Sequence, residues 1–366
     1  MFSIKKAIFS ERCLRILLVL ILIFSLALWV TRGRYLYQGQ VYYTSSDTGM
    51  PVIKNVQLIS SDEQSHTYTA SLFGIFPLGE VQVNQVKRPE VTLGTGCVVL
   101  RVQNNNITIT GFTSASSPAE QAGIQVLDII RYIDNKQITC FDDISSCLEE
   151  NTTGYVDVKV ERDGELLVRT VKLSPDKKLG VYIDNHAFAI GTMSFITDNM
   201  KFCAIGHNLD TGEISDTETV LYWATQQGDE MEITDVISDN IGISNKSSSL
   251  GVTGTARPDW VLGEKISLGW SWEITEGDAS INIVSDGEML SKNIKILGKG
   301  LYNNKEYYRV YSDTDTFCRG MSGSCIIQNN RLIGILIGVN VNEPHEGYFV
   351  PAEDVYSEFI GFEVEV

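Results

Sequence analysis

The sequence has few of the residues that build metal centres and redox motifs. It contains seven cysteines and four histidines in 366 residues, with no CxxC motif and no Cys-His cluster. Zinc fingers and thioredoxin-like redox motifs require such clusters, so both classes are excluded. Scattered cysteines in odd number favour buried free thiols, and a bridge between Cys140 and Cys147 stays open. The sequence implies no metal or organic cofactor.

Basic residues, repeats and low-complexity tracts are also scarce. The chain has 29 Lys and Arg against 46 Asp and Glu, a formal net charge of −17. This charge repels a polyphosphate backbone, so nucleic acid is excluded as a partner. No repeat period is present, which argues against a solenoid. With 43% hydrophobic residues, the chain can bury full cores, and its length suggests two or three domains.

Only one long apolar run is present. Residues 16–30 (ILLVLILIFSLALWV) carry no charge, but 15 residues are fewer than the ~20 that cross a bilayer unaided. A secretory signal peptide is the alternative, but no small-x-small cleavage site follows and Trp29 is placed as an interfacial anchor. Four basic residues precede the run and two follow it closely. We therefore expect a single-pass transmembrane signal-anchor over residues 1–34, a cytosolic N-terminus and an extracytoplasmic body.

Residues 35–91 are predicted to form a connector and a β-rich region. Ser45 to Gly49 form a polar stretch that is typical of an exposed connector, which makes it a candidate processing site. Short alternating or apolar runs follow and are bounded by Gly, Pro or polar clusters, which indicates strands. The runs are VIKNVQLIS, SLFGIFPLG and EVQVNQV.

Residues 92–176 resemble the PDZ domains of exported bacterial proteases. The resemblance is carried by Ser117 to Ile124 (SPAEQAGI) and by Asp128 to Ile130, with Leu127 standing where those domains usually have Gly. A helix is predicted over Phe141 to Glu150, and the following strands form a hairpin that turns at Asp163-Gly164.

The PDZ resemblance implies peptide binding. Such a domain binds a partner peptide as an added strand, here with Gly96 to Leu100 near the peptide-carboxylate loop. The alternative is a small αβ module that serves only as a spacer. Residues 177–366 consist of short Gly-punctuated apolar runs and one helical tail over residues 351–362, a pattern that predicts a β-barrel or sandwich.

Among the histidines, His207 is the candidate for chemistry. His66, His186 and His345 lie in polar or turn-like segments typical of a solvated surface histidine. His207 instead follows the apolar strand sequence FCAIG, and rigid strand ends hold catalytic groups well. The alternative is a structural histidine.

A glycine-rich loop supplies the matching nucleophile. Gly320 to Ser324 (GMSGS) precede CIIQ, an Asn-Asn turn and RLIGILIGV, which together predict a loop feeding a β-hairpin. Its glycines permit a backbone that exposes the Ser322 hydroxyl and aims the N–H groups of Gly320 and Ser322 at one point, as an oxyanion hole requires. His207 is the available base for that hydroxyl. The alternative is a flexible turn.

The loop is similar to the nucleophile loop of chymotrypsin-like proteases, and the whole chain resembles the stage IV sporulation protein B (SpoIVB) peptidases. The most specific segments are Phe73 to Gly79 (FGIFPLG), Ala204 to His207 (AIGH) and Gly320 to Ser324. The resemblance implies a membrane segment, β-rich region, PDZ domain and chymotrypsin-like β-barrel peptidase domain, in that order. It also implies a serine endopeptidase in the forespore intermembrane space. Such a peptidase trims itself and cleaves a membrane-bound regulator, which releases an intramembrane protease that matures a sigma factor.

The resemblance also implies residue roles, with His207 as general base, Ser322 as nucleophile and Asp313 as the acidic member. Asp315 is the neighbouring candidate for the acid. Because the segment between Asp313 and Ser322 is shorter than usual in the family, other aspartates stay open, namely Asp235, Asp239 and Asp259. The family usually has Pro where this chain has Cys325.

Two other functions compete with the serine endopeptidase. One is a non-catalytic PDZ adaptor that binds membrane-protein tails, with a degenerate barrel. The other is a cysteine peptidase that uses Cys318 or Cys203 with His207, although neither thiol lies in a glycine-rich turn of the kind that exposes a nucleophile. The predicted partners are a protein or peptide substrate, a peptide bound by the PDZ domain and, through the N-terminal anchor, the membrane.

Overall fold

The structure is a computed structural model whose described residues fall into two compact units. Unit 1 comprises residues 1–88 and 362–366, and unit 2 comprises residues 89–361. The structure describes residues 15–21, 23–24, 36–62, 65–94, 96–162, 164–206, 220–227, 232–257, 263–285, 288–302, 305–314, 317–318, 320–340 and 343–363.

Unit 1 contains a four-stranded sheet and a short apolar helix. Residues 15–21 and 23–24 are helical, and no helix among the described residues is long and apolar enough to cross a membrane. In the sheet, of order β1-β4-β3-β2, β1 runs parallel to β4 and the other neighbours are antiparallel. Its buried core includes Ala70, Leu78, Val81 and Val83. The strands are β1 (Gln40–Thr44), β2 (Val56–Asp62), β3 (Thr67–Leu72) and β4 (Phe76–Gln85).

Unit 2 consists mainly of strands that join into a closed β-barrel. The prediction of a mainly β chain with a β-barrel is therefore confirmed. The strands are β5 (Glu90–Leu93), β6 (Cys97–Phe112), β7 (Ile129–Ile133), β8 (Lys136–Gln137), β9 (Tyr155–Arg162), β10 (Glu165–Lys172), β11 (Val181–Ile196), β12 (Lys201–Ala204), β13 (Val220–Gln227), β14 (Glu232–Ser248), β15 (Gly251–Ala256), β16 (Lys265–Leu268), β17 (Gly277–Ser285), β18 (Glu288–Tyr302), β19 (Lys305–Tyr311), β20 (Cys325–Gln328), β21 (Arg331–Val339) and β22 (Glu346–Pro351). The helices are α1 (Pro118–Gln121), α2 (Phe141–Glu150) and α3 (Ala352–Phe359), with a 3₁₀ turn at Ser271–Glu273.

The region predicted as a PDZ domain has a hydrophobic core of its own, whose buried members all lie within residues 107–179. The predicted helix is confirmed as α2, and the predicted hairpin as β9 and β10, which pair from Arg162↔Glu165 onward. Leu127 has a φ of 72°, and its N–H donates to Ile109 O at 2.7 Å. Only Gly adopts this left-handed backbone without steric cost, which explains why a glycine suits this turn.

Strand β6 is paired along both edges near its start. Val98 to Leu100 pair with Ala189 to Gly191 of β11 on one edge, and with Leu221 to Trp223 of β13 on the other. The segment predicted to lie at a peptide-carboxylate loop is therefore already hydrogen-bonded on both sides in this structure. The PDZ assignment itself stays a prediction.

Candidate active site

Ser322 lies in the loop between β19 and β20, where tertiary hydrogen bonds hold its backbone. Its side chain is half-buried, and its carbonyl accepts a hydrogen bond from Thr192 N at 2.7 Å. The Thr192 hydroxyl also donates to Gly320 O at 3.1 Å, in a buried position. Thr192, near the end of β11, therefore hydrogen-bonds to the loop on both sides of Met321, which is itself buried.

The glycine after Ser322 packs against the glycine before His207. Gly323 has a φ of 99° and donates its N–H to Leu336 O at 2.8 Å. A Cβ placed on Gly206, whose φ is 51°, would lie 2.9 Å from Gly323 N. A Cβ placed on Gly323 would in turn lie 2.8 Å from Ile205 N. Both positions require glycine, because two backbone segments meet here with no room for a side chain.

This contact brings together the two segments that the sequence singled out. His207 itself lies outside the described residues, but its covalent neighbour Gly206 contacts the residue that follows Ser322. Among the described residues, the N–H groups of Gly320 and Ser322 donate to no acceptor. An oxyanion hole requires two such backbone donors.

Ser324 occupies a different environment from Ser322. It is fully buried, its N–H donates to Met321 O at 2.9 Å, and its hydroxyl has no hydrogen-bond partner within the described part of the chain. A hydroxyl with no access to solvent cannot meet a substrate. Of the two serines in the loop, only Ser322 is exposed enough to act as a nucleophile.

The buried thiols near the loop are not suited to nucleophilic chemistry. Cys203 is fully buried, and burial raises the pKa of its thiol to about 12. Cys325 is also buried, which raises the pKa of its thiol, and this thiol donates to Ser194 O at 2.9 Å. Because the thiolate is the reactive form, the structure argues against Cys203 as a catalytic residue. Cys140 and Cys147 are free thiols rather than a disulfide.

Asp313 lies on the surface and pairs with a lysine. Its carboxylate is 3.0 Å from Lys295 Nζ, and this hydrogen bond raises the pKa of Lys295. Asp313 also lines a groove of ≈ 660 Å³ together with β17 and β18 residues such as Asp278 and Ser291. Asp313 as the acidic member of a triad stays a prediction. The other candidates cannot be placed, because Asp315, Asp259 and the side chains of Asp235 and Asp239 lie outside the described residues.

The sequence did not identify Thr192 as a positioning residue. Thr192 is separated by about 130 positions from the loop it holds, and nothing in a β-strand sequence marks a threonine whose amide and hydroxyl both serve a distant loop. Within the described ranges, no three His, Cys, Asp or Glu side chains lie close enough together to hold a metal ion.

Comparison with known proteins identifies the chemistry of this half of the chain. Residues 175–356 match one family model, and on that match the chain is a serine peptidase. The model is described as SpoIVB peptidase S55, and the residues that it matches include both His207 and Ser322. The comparison with curated proteins gives no match.

Solved structures give only a distant likeness. The inactive form of the Rv3671c protease aligns with a TM-score of 0.31 and 12% identity, over 46% of this chain and 82% of that chain. The active form of Rv3671c from M. tuberculosis aligns with a TM-score of 0.31 and 13% identity, over 49% and 77% respectively. These values do not establish a shared fold.

Proposed function

We propose that the chain is a serine endopeptidase in which Ser322 is the nucleophile and His207 the general base. The observation that carries this assignment is the contact of Gly206 with Gly323, because each glycine is bonded directly to one of the two catalytic residues. Consecutive Cα atoms are about 3.8 Å apart, so this distance separates the Cα atom of His207 from that of Gly206. The imidazole would accept the Ser322 proton during attack and return it to the leaving amine.

Two backbone N–H groups complete the proposed site. The tetrahedral intermediate places a negative charge on the former carbonyl oxygen, and two backbone donors stabilise it where water is excluded. Gly320 N–H and Ser322 N–H have no other acceptor among the described residues, so they are the donors we assign to this oxygen. We keep Asp313 as the residue that orients the imidazole, with Asp315 as the alternative.

The biological role that we propose follows the family. The peptidase is tethered to the cell membrane by residues 1–34 and acts outside the cytoplasm, in the forespore intermembrane space. It cleaves itself and then a membrane-bound regulator, which triggers intramembrane proteolysis and sigma-factor activation. The family match supports sporulation as the setting.

The proposed role of residues 92–176 is to bind a peptide as a PDZ domain does. Their separate hydrophobic core supports an independent module. Because β13 already pairs with β6 at Val98 to Leu100, a peptide added along this edge beside Gly96 to Leu100 must displace β13. A non-catalytic adaptor of membrane-protein tails is the second candidate function, and it requires that Ser322 be unreactive.

Self-cleavage tests the proposed function. We expect the wild-type chain, expressed alone in a heterologous host, to be cut between Tyr35 and Val91, with the Ser45 to Gly49 connector as the favoured region. N-terminal sequencing of the product locates the cut. Ser322→Ala should accumulate at full length, whereas Ser324→Ala should be processed as the wild type. Normal processing of Ser322→Ala would assign the cut to another protease and contradict self-activation.

A further inference from the structure

One end of the unit 1 sheet exposes large apolar side chains. Four of them, Leu36, Val52, Phe73 and Ile75, are 61%, 75%, 61% and 73% exposed, respectively. We call these four residues the apolar end. Large apolar side chains are exposed singly on most proteins, but a group of them at one place marks an interaction surface.

Hydrogen bonds place Phe73 and Ile75 beside Asn55, the last residue of the loop that carries Val52 and leads into β2. Val56↔Leu72 is the last residue pair of the β2–β3 ladder, and just beyond it Phe73 N donates to Asn55 O at 2.9 Å. Ile75 N then donates to Leu72 O at 3.1 Å, which closes the turn into β4. The turn after β3 and the loop before β2 are therefore neighbours.

The chain also enters the sheet at this end. Strand β1 runs parallel to β4, and ahead of β1 the N–H of Tyr37 donates to Leu78 O at 3.2 Å. Leu78 lies only two residues after Phe76, where β4 begins. Leu36 therefore lies beside the start of β4, next to the turn that carries Phe73 and Ile75.

The residues that precede Leu36 identify what covers the apolar end. The uncharged run of residues 16–30 ends six residues before Leu36, and six fully extended residues span about 20 Å. In the described part of that run, the side chains of Ile16 to Ile21, Ile23 and Phe24 are all exposed. If the run is the membrane anchor, the apolar end is held within about 20 Å of the bilayer surface.

The charges at the apolar end also suit a lipid surface. Residues 50–55 (MPVIKN) and 72–78 (LFGIFPL) contain no acidic residue, although the chain as a whole has a net charge of −17. Lys54 is the one charged side chain in the two segments, and its sign is attracted to anionic headgroups.

We propose that the apolar end inserts into the interfacial region of the same bilayer that holds the N-terminal anchor. The inference rests on the proposed anchor and goes beyond it: unit 1 is a second membrane contact that fixes the sheet against the bilayer, rather than a passive spacer. Phe73 and Ile75 lie in a tight turn, in which Phe73 and Gly74 have φ of 51° and 72°, and both apolar side chains are exposed to solvent.

Photo-crosslinking of the full chain tests this inference. The photoreactive residue p-benzoylphenylalanine replaces Phe73 in one variant and Ile75 in another, and Ser65 in a control. Ser65 is exposed in the turn at the opposite end of the β2–β3 hairpin, between Asp62 and Thr67. All three variants carry Ser322→Ala, so that the chain stays tethered, and are reconstituted in vesicles of phosphatidylcholine and phosphatidylglycerol. Mass spectrometry then identifies the adducts.

We expect phospholipid adducts at positions 73 and 75, at least ten times more abundant than at position 65. Alkaline carbonate extraction, run in parallel, tests the anchor by itself. A chain that resists extraction but gives no lipid adduct at 73 or 75 overturns the inference and leaves the anchor in place. Adducts at these positions with a protein, including a second copy of the chain, overturn it as well. Release by carbonate overturns the anchor and the inference together.

Discussion

Substitution of Gly206 by alanine tests whether the contact between the His207 and Ser322 segments controls activity. Gly206 has a φ of 51°, and the new Cβ would lie 2.9 Å from Gly323 N and closer still to Leu336 O. The left-handed backbone costs a non-glycine residue about 1–2 kcal/mol. Overpacking against backbone atoms that cannot rotate away adds about 1–3 kcal/mol. We therefore expect Gly206→Ala to lower the free energy of unfolding by about 2–5 kcal/mol.

Gly154→Ala is the matched control. Gly154 also has a left-handed φ, 77°, but a Cβ there would meet no atom within 4 Å. Its substitution should cost only the backbone preference, about 1–2 kcal/mol, and should leave the active site untouched. The difference between the two variants isolates the steric term at the Gly206–Gly323 contact.

The rate at which a fluorophosphonate labels Ser322 is the functional readout. A displacement of about 1 Å at a catalytic group costs roughly 100-fold in rate, so Gly206→Ala should label at least about 100-fold more slowly than the wild type. Gly154→Ala should label at the wild-type rate. Urea denaturation, followed by tryptophan fluorescence, gives the stabilities, and circular dichroism checks that both variants are folded during labelling. Equal labelling rates and equal stabilities for the two variants would refute the assigned role of this contact.

Three further outcomes are expected. Ser324→Ala should keep full activity and unfold at the same or slightly higher urea concentration, because it removes a buried hydroxyl without a described partner; a large loss of activity would show that this serine takes part in the chemistry. Brief alkylation of the native chain should modify exposed Cys140 and leave activity intact. It should not modify Cys203, because burial raises the pKa of its thiol to about 12; inactivation on modification of Cys203 would support the cysteine peptidase instead. Asp313→Asn should slow turnover, but by less than loss of the nucleophile, and an unchanged rate would move the assignment to Asp315.

The local features of the fold were predictable from the sequence, because they depend on neighbours along the chain. The hairpin after the GMSGS loop is confirmed as β20 and β21, joined by Asn329 and Asn330 with φ of 51° and 58°. Asparagine tolerates this left-handed backbone better than most residues, so the Asn-Asn pair predicts the turn directly. The tail helix is likewise confirmed as α3, within the predicted residues 351–362.

The long-range features were not predictable in the same way. The pairing of β13 with β6 joins residues more than 100 positions apart. The alternation of apolar residues along a strand does not indicate which other strand it pairs with. Thr192 illustrates the same limit at the site, since only the folded chain brings its amide and hydroxyl to the Ser322 loop. Asp313 was assigned from the family resemblance, which could not reveal its surface pair with Lys295.

Identification of the residue that reacts with a fluorophosphonate tests the central claim most directly. The purified chain is labelled, digested and sequenced by mass spectrometry, with Ser322→Ala and Ser324→Ala labelled in parallel. The account predicts one adduct, on Ser322, which is absent from Ser322→Ala and retained in Ser324→Ala. An unlabelled wild-type chain that is folded, or an adduct that persists in Ser322→Ala, would contradict the account.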